Sequence, residues 1–331
     1  MWLVRSWIPP WLHPAKRRGE AVVPDAIRAI DSFRIPRESG SLWGKAARAA
    51  GEIVLAAKRS EWRRWLWRLV PHTVLVLFSA TIVLPLLWLL RVALTDKQTA
   101  YKIPPEWAPL DLGNFIEIFT GYPFFDYFTN SVAVAFGSTV VALPLAAAMA
   151  YAFARHNTGG LPLRLFVLSS QMLPPVILVL PLFALFLKAS LLNTLPGLIA
   201  AHITISLPFL AWLLVSFFEG DLVTLEQAAR IDGATRFQAF TRITLPVAVP
   251  GLLAAGLLAF ILSWNEFLLA LILSGPQTNT LPVGLSSFQS HRGVEIALLA
   301  AASICAILPV FVLLPFMRRY LIKGLSLGAL K

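Results

Sequence analysis

Six runs of mostly apolar residues, each long enough to cross a bilayer, constrain this chain more than any motif does. They lie at roughly 69 to 95, 130 to 153, 163 to 188, 195 to 218, 247 to 273 and 294 to 317. A membrane-spanning helix takes about 20 such residues, because each adds about 1.5 Å and the hydrocarbon core is about 30 Å thick. Composition agrees: hydrophobic residues make up 57% of the chain and charged residues 14%, against roughly 25% charged in soluble domains. The predicted fold is an all-α polytopic membrane protein with six transmembrane helices. Several runs contain proline, at Pro85, Pro144, Pro174, Pro175 and Pro208, which membrane helices tolerate when neighbouring groups satisfy the freed carbonyls.

Lys and Arg set the predicted orientation, because cytoplasmic flanks carry their excess. Arg59, Arg63, Arg64 and Arg68 stand just before the first run, with Lys16, Arg17 and Arg18 further out. Residues 96 to 129 instead carry Asp96, Glu106, Asp111, Glu117 and Asp126 against Lys97 and Lys102. The alternation continues with Arg155 and Arg164 at an inner turn, Arg230, Arg236 and Arg242 in the next, and Arg318, Arg319, Lys323 and Lys331 at the end. Lys188 and Arg292 fall in the remaining outer loops. Both termini and residues 219 to 246 are therefore predicted to be cytoplasmic. The net charge of +11 reads as topology and contact with anionic lipid rather than nucleic-acid binding.

Residues 1 to 60, charged and punctuated by Pro24, Pro36, Gly40 and Gly44, read as a flexible cytoplasmic extension. Pro9 and Pro10 interrupt the short apolar start, which therefore does not read as a signal peptide. Trp62, Trp65, Leu66 and Leu69 share a helical face away from most of Arg63, Arg64 and Arg68. That spacing predicts an interfacial helix before Pro71 opens the first span. The remaining chain, 61 to 331, is one transmembrane domain.

Between the fourth and fifth runs lies a polar, amphipathic stretch. Thr224 followed by Gln227, and Thr235 followed by Gln238, each have the capping-box pattern that starts a helix. Gly233 stands where the first helix must stop, and glycine accepts the positive φ of a helix C-terminal cap. Pro246 ends the second helix or opens the next, having no N–H to donate. Phe237, Phe240 and Thr244 are spaced to share a face, with Ile243 beside them. Such a stripe needs an apolar partner, either lipid headgroups on which a hairpin lies or a groove on another protein.

The pattern Ala228-Ala229, three residues, Gly233, nine residues, Ile243-x-Leu245-Pro246 resembles the EAA loop of ATP-binding-cassette (ABC) importer permeases. The resemblance implies a type I importer permease fold with a cytoplasmic coupling helix pair. It also implies ATPase contacts from Glu226, Gln227, Ala228, Ala229, Asp232, Gly233, Phe237, Phe240, Ile243, Leu245 and Pro246. Ser263-Trp264-Asn265-Glu266-Phe267, Leu281-Pro282-Val283-Gly284-Leu285, Asn130-Ser131 and Arg319 to Gly324 are similar to the carbohydrate-importer branch. Gln227 departs from the family, which usually has Glu there, and Glu226 immediately precedes it. The implied partners are a second permease, two ATPase subunits, an extracytoplasmic binding protein and membrane lipid, in a bacterial or archaeal inner membrane. The implied solute is a sugar or polyol, with a polyamine or glycerol phosphate as the alternative. ATP and magnesium belong to the ATPase.

Nothing in the chain reads as catalytic. Gly40 to Lys45 is one residue short of a phosphate-binding loop and lacks its Ser or Thr. The single cysteine, Cys305, and five scattered histidines offer no disulfide or metal-ligand spacing. An ATP-independent carrier or membrane enzyme would need internal repeats or a convergent catalytic set, and neither is visible. Polar residues within the runs are candidates for a solute path because burying them is costly. Gln171, His202, Asn265 and Glu266 are the leading ones, with Ser169, Ser170, Thr204 and Ser206 nearby. Those of the third and fourth runs each read first as helix-packing glue, and Glu266 reads equally as a solvated or interhelical carboxylate.

Overall fold

The computed structural model describes residues 69–104, 106, 109–219, 222–290 and 293–328. The N-terminal extension and the interfacial helix predicted before the first span lie outside them. Helix α1, Leu69–Ala93, follows the first apolar run and crosses the boundary between two compact units, one ending at Leu84 and the other beginning at Pro85. All later elements belong to the second unit.

After α1 a 3-10 turn at Thr99–Tyr101 and helix α2, Gly113–Thr120, form the first connection. Buried Asn114 fixes it, donating to the carbonyls of Ala93 at 3.0 Å and Thr95 at 2.8 Å. Hydrogen bonds from the Thr99 hydroxyl and N–H hold the Asp96 carboxyl below its usual range at the start of the 3-10 turn.

Helix α3, Phe124–His156, extends the predicted second span at both ends. Asp126 stands in its first turn and Arg155 and His156 in its last, each suiting the helix dipole. Asn157 ends it in a left-handed conformation at φ 46°.

The third run is not the continuous helix its hydropathy predicts. It is two helices, α4, Gly160–Met172, and α5, Pro175–Lys188, bent by 96°. Pro174 and Pro175 each push the preceding residue out of helical geometry, and Leu173 and Pro174 adopt ψ of 125° and 134°. The fourth run forms α6, Leu195–Phe218, with Thr194 accepting from Gly197 N–H at 3.1 Å.

Then come α7, Leu222–Ile231, and α8, Arg236–Trp264. The fifth run is broken at Asn265, and α9 resumes at Leu268–Leu273. A short helix α10, Leu281–Ser286, and a two-residue antiparallel pairing of Gln289–Ser290 with Gly293–Val294 lead into α11, Ile296–Gly328. Among the described residues, five helices are long and apolar enough to cross a membrane, and the bent pair is a sixth candidate.

The bundle is built on α3, α6 and α8. Ala142, Ala146 and Ala150 of α3 meet Ala211 and Leu214 of α6 and Ala248, Ala255 and Ala259 of α8. Small side chains let helices approach closely where no hydrophobic effect drives them together, and van der Waals contact then holds them. At the end of the bundle away from α7, Asn130 donates to the carbonyls of Gln277 and Asn279, each at 3.1 Å. Ser131 accepts from Leu281 N–H at 2.7 Å. The Asn-Ser and Leu-Pro-Val-Gly-Leu motifs, distant in sequence, thus close on each other.

Candidate functional site

The polar stretch forms a hairpin of α7 and the start of α8. Thr235 caps α8 as its spacing predicts, accepting from Gln238 N–H at 3.3 Å, while the Gln238 side chain accepts from Thr235 N–H at 2.9 Å. Gly233 adopts φ +92°. Ala234 N–H reaches the Ala229 carbonyl at 3.0 Å and Gly233 N–H the Arg230 carbonyl at 3.2 Å, a Schellman closure of α7. Thr224 does not cap α7 as predicted, because the helix is already formed at Leu222. Leu222 packs on the α3–α6 core, and that burial overrides the local capping pattern.

Pro246 stands in the first turn of the α-helical segment Leu245–Trp264, opening it as predicted, but it does not break the longer helix. Helix α8 runs through it, with a π-helical turn at Phe240–Thr244 immediately before. A regular α-helix would need the absent proline N–H and would bring its ring against the carbonyl of Arg242. The wider π turn relieves both.

The predicted apolar stripe divides. Phe237 is 75% exposed at the hairpin tip. Phe240 is half-buried, its ring 4.5 Å from that of Tyr151, and Thr244 is fully buried. Gln227, Ala228, Asp232 and Pro246 are exposed, and Ala229, Ile243 and Leu245 half-buried. Glu226, by contrast, is 5% exposed. Its carboxylate accepts from the Tyr151 hydroxyl, from Arg155 Nε at 2.8 Å and from Thr244 Oγ1 at 3.4 Å. Sequence reasoning used Arg155 only for orientation and did not single out Tyr151. No local signal joins residues 71 and 75 positions apart.

The candidate path residues do not converge on one point. His202 and Glu266 are neighbours, with His202 Nε2 3.7 Å from Glu266 Oε2. His202 Nδ1 is 2.6 Å from Ser263 Oγ, to which Ser138 also donates at 3.1 Å. Glu266 accepts from Leu269 N–H at 3.0 Å and Ala270 N–H at 3.2 Å, capping α9 across the break in the fifth run. Gln171 stands apart, donating to the Ile205 carbonyl of α6 at 2.9 Å. Asn265 is exposed and, with Trp264, Leu281 and Ser303, lines an open cleft of about 360 Å³. Ser138 is a buried contributor that sequence reading missed.

Comparison with known proteins places this architecture. Residues 142–327 match the family model described as the binding-protein-dependent transport system inner membrane component. Over 251 residues the chain is 36% identical to the sulfoquinovosyl glycerol transport system permease protein SmoH of Agrobacterium fabrum, covering 75% of this chain and 88% of that protein. It is 36% identical over 254 residues to the trehalose transport system permease protein SugB of Mycobacterium tuberculosis, covering 75% and 92%. The fold resembles a chain of a bacterial ABC transporter involved in the import of the acidic polysaccharide alginate, with TM-score 0.63, 17% identity and coverage of 77% and 96%. The chain therefore belongs to the family of binding-protein-dependent transport system inner membrane components, the permeases of ABC importers.

Proposed function

We propose that this permease carries a sugar or related polyol inward by alternating access, driven by ATP hydrolysis in a separate subunit. The observation that carries the coupling role is the α7–α8 hairpin, a closed turn with Phe237 exposed at its tip. A helical hairpin held this way presents an apolar anchor to a groove, the usual arrangement for helix-in-groove recognition. The assembly would comprise this chain, a second permease, two ATPase subunits that hold ATP and magnesium, and an extracytoplasmic binding protein. Both termini and the hairpin lie on the cytoplasmic side in this reading, supported by the alternation of Lys and Arg. The sugar class is supported by relatives named for trehalose and sulfoquinovosyl glycerol transport.

Within the membrane, Asn265 is the best-supported solute contact, because it is exposed at a cleft of mostly aliphatic lining, its amide donating meanwhile to the Ile261 carbonyl of its own helix at 2.9 Å. His202 and Glu266 border the path less directly, since both side chains are largely buried and bonded to other parts of the chain. Gln171 serves helix packing through its bond to Ile205.

The deciding experiment is ATP hydrolysis by the importer reconstituted in proteoliposomes with its binding protein, over a panel of disaccharides, glycosyl glycerols, glycerol phosphate and putrescine. Stimulation by a glycoside alone supports the reading. Stimulation confined to glycerol phosphate or putrescine overturns the sugar class and leaves the permease role in place.

A further inference from the structure

Helix α7 buries a single side chain, and it is a carboxylate. Thr224, Leu225, Gln227, Ala228, Arg230 and Ile231 all face outward, so Glu226 is the helix's polar handle on the bundle, beside the half-buried Leu222. Its three donors come from two other helices, Tyr151 and Arg155 from the end of α3 and Thr244 from the π turn of α8. Satisfaction across the pair is uneven. The carboxylate has three donors, whereas Arg155, with a side chain 7% exposed, finds no acceptor for Nη1 or Nη2 among the described residues. The charge of this buried guanidinium is therefore compensated by Glu226. Any motion of α7 that withdrew Glu226 while α3 stayed in place would strand a buried cation, a far costlier state than the intact pair.

We propose that Glu226, Arg155 and Tyr151 form an intrachain clasp through which displacement of the α7–α8 hairpin is passed to the end of α3. Glu226 is thus a positioning residue of the coupling machinery, while Phe237 makes contact with the partner. The clasp rests on the coupling role proposed for the hairpin. Tyr151 adds a second link, since the side chain whose hydroxyl donates to Glu226 also packs its ring against that of Phe240 at a tilt.

The test is amide hydrogen exchange in the purified importer, with and without a non-hydrolysable ATP analogue and Mg2+, read at residues 222–246 and 151–160. In the wild type both segments respond to the nucleotide. Glu226→Gln strands the guanidinium and risks misfolding, so the decisive variant is Arg155→Met/Glu226→Gln, in which no buried charge is left alone. Expected there is normal recovery of the ATPase, an unchanged response at 222–246, and a response at 151–160 reduced at least about threefold. A full response at 151–160 in that double variant overturns the clasp and leaves the docking reading standing. Loss of the ATPase from the double variant also overturns it, making Glu226 a docking contact. No nucleotide response at 222–246 in the wild type overturns the coupling role itself.

Discussion

The ring of Tyr151 lies 4.5 Å from that of Phe240, inclined at 44°, so half of the hairpin's apolar stripe is spent inside its own chain. Phe240 and Phe237 should then respond differently to truncation. Phe240→Ala opens a partly buried aromatic contact and is expected to cost about 2–3 kcal/mol, below the range for a fully buried phenylalanine. Phe237→Ala, at an exposed tip, should change stability by less than about 0.5 kcal/mol. Only the second should lower ATPase recovery at unchanged melting temperature. Scanning fluorimetry beside co-purification separates the two, and equal melting temperatures would sink the assignment.

Gly233 offers a cleaner backbone experiment. A Cβ added there meets nothing within 4 Å, so substitutions probe conformation rather than crowding. At φ +92° an L-residue pays for left-handed geometry, roughly 1–2 kcal/mol. Gly233→Val is expected to reduce solute-stimulated hydrolysis strongly, Gly233→Ala less, and Gly233→Asn least, since asparagine tolerates this region. Transport in proteoliposomes checks the order, and wild-type transport by the valine variant would withdraw the coupling role.

Gly284 is the opposite case, because space alone forbids a side chain. A Cβ there would stand 2.1 Å from the Tyr127 ring, at the turn that Ser131 ties to α3 through Leu281. Gly284→Ala should lower the melting temperature more than Ser131→Ala, which leaves one buried N–H unpaired at about 1–3 kcal/mol. Gly284→Ala/Tyr127→Ala should recover part of that loss, and a double variant no better than the single would refute the clash.

Local chemistry was legible in the sequence wherever the answer was local. Thr194 and Phe218 bound the fourth span as its hydropathy predicts, and Thr235 with Gln238 and Gly233 close the hairpin turn as their types require. Thr224 misled because the burial of Leu222 is a tertiary fact. The third run misled because hydropathy is blind to direction, and two successive prolines turned it by 96°. Pro246 was legible as a disturbance but not as a π turn, which depends on the helix continuing on both sides. Glu226 was least legible of all. The family resemblance implied a docking contact there, and its partners on α3 are too far away in sequence to leave a periodic trace.

The charge alternation makes a direct topological prediction. In a Cys305→Ala background, Thr120→Cys should react with a membrane-impermeant maleimide added to intact cells, and Thr235→Cys only after permeabilisation. Both positions are exposed, so accessibility within the fold does not confuse the reading. The reverse pattern would invert the proposed orientation and remove the hairpin from any cytoplasmic ATPase.

Glu266 presents a choice between capping and solute contact that one pair of variants resolves. Its carboxylate receives the N–H groups of Leu269 and Ala270, which have no other acceptor where the fifth run breaks. Glutamine keeps an oxygen for that task and loses only the charge, a change of about 1 kcal/mol at a helix N-terminus. Alanine leaves the donors unpaired, at about 1–3 kcal/mol. If capping is the role, Glu266→Gln should keep the transport KM within about twofold of wild type, while Glu266→Ala lowers the melting temperature. If Glu266→Gln instead raised KM more than about tenfold at an unchanged melting temperature, the carboxylate would be a solute ligand and its bonds to α9 incidental.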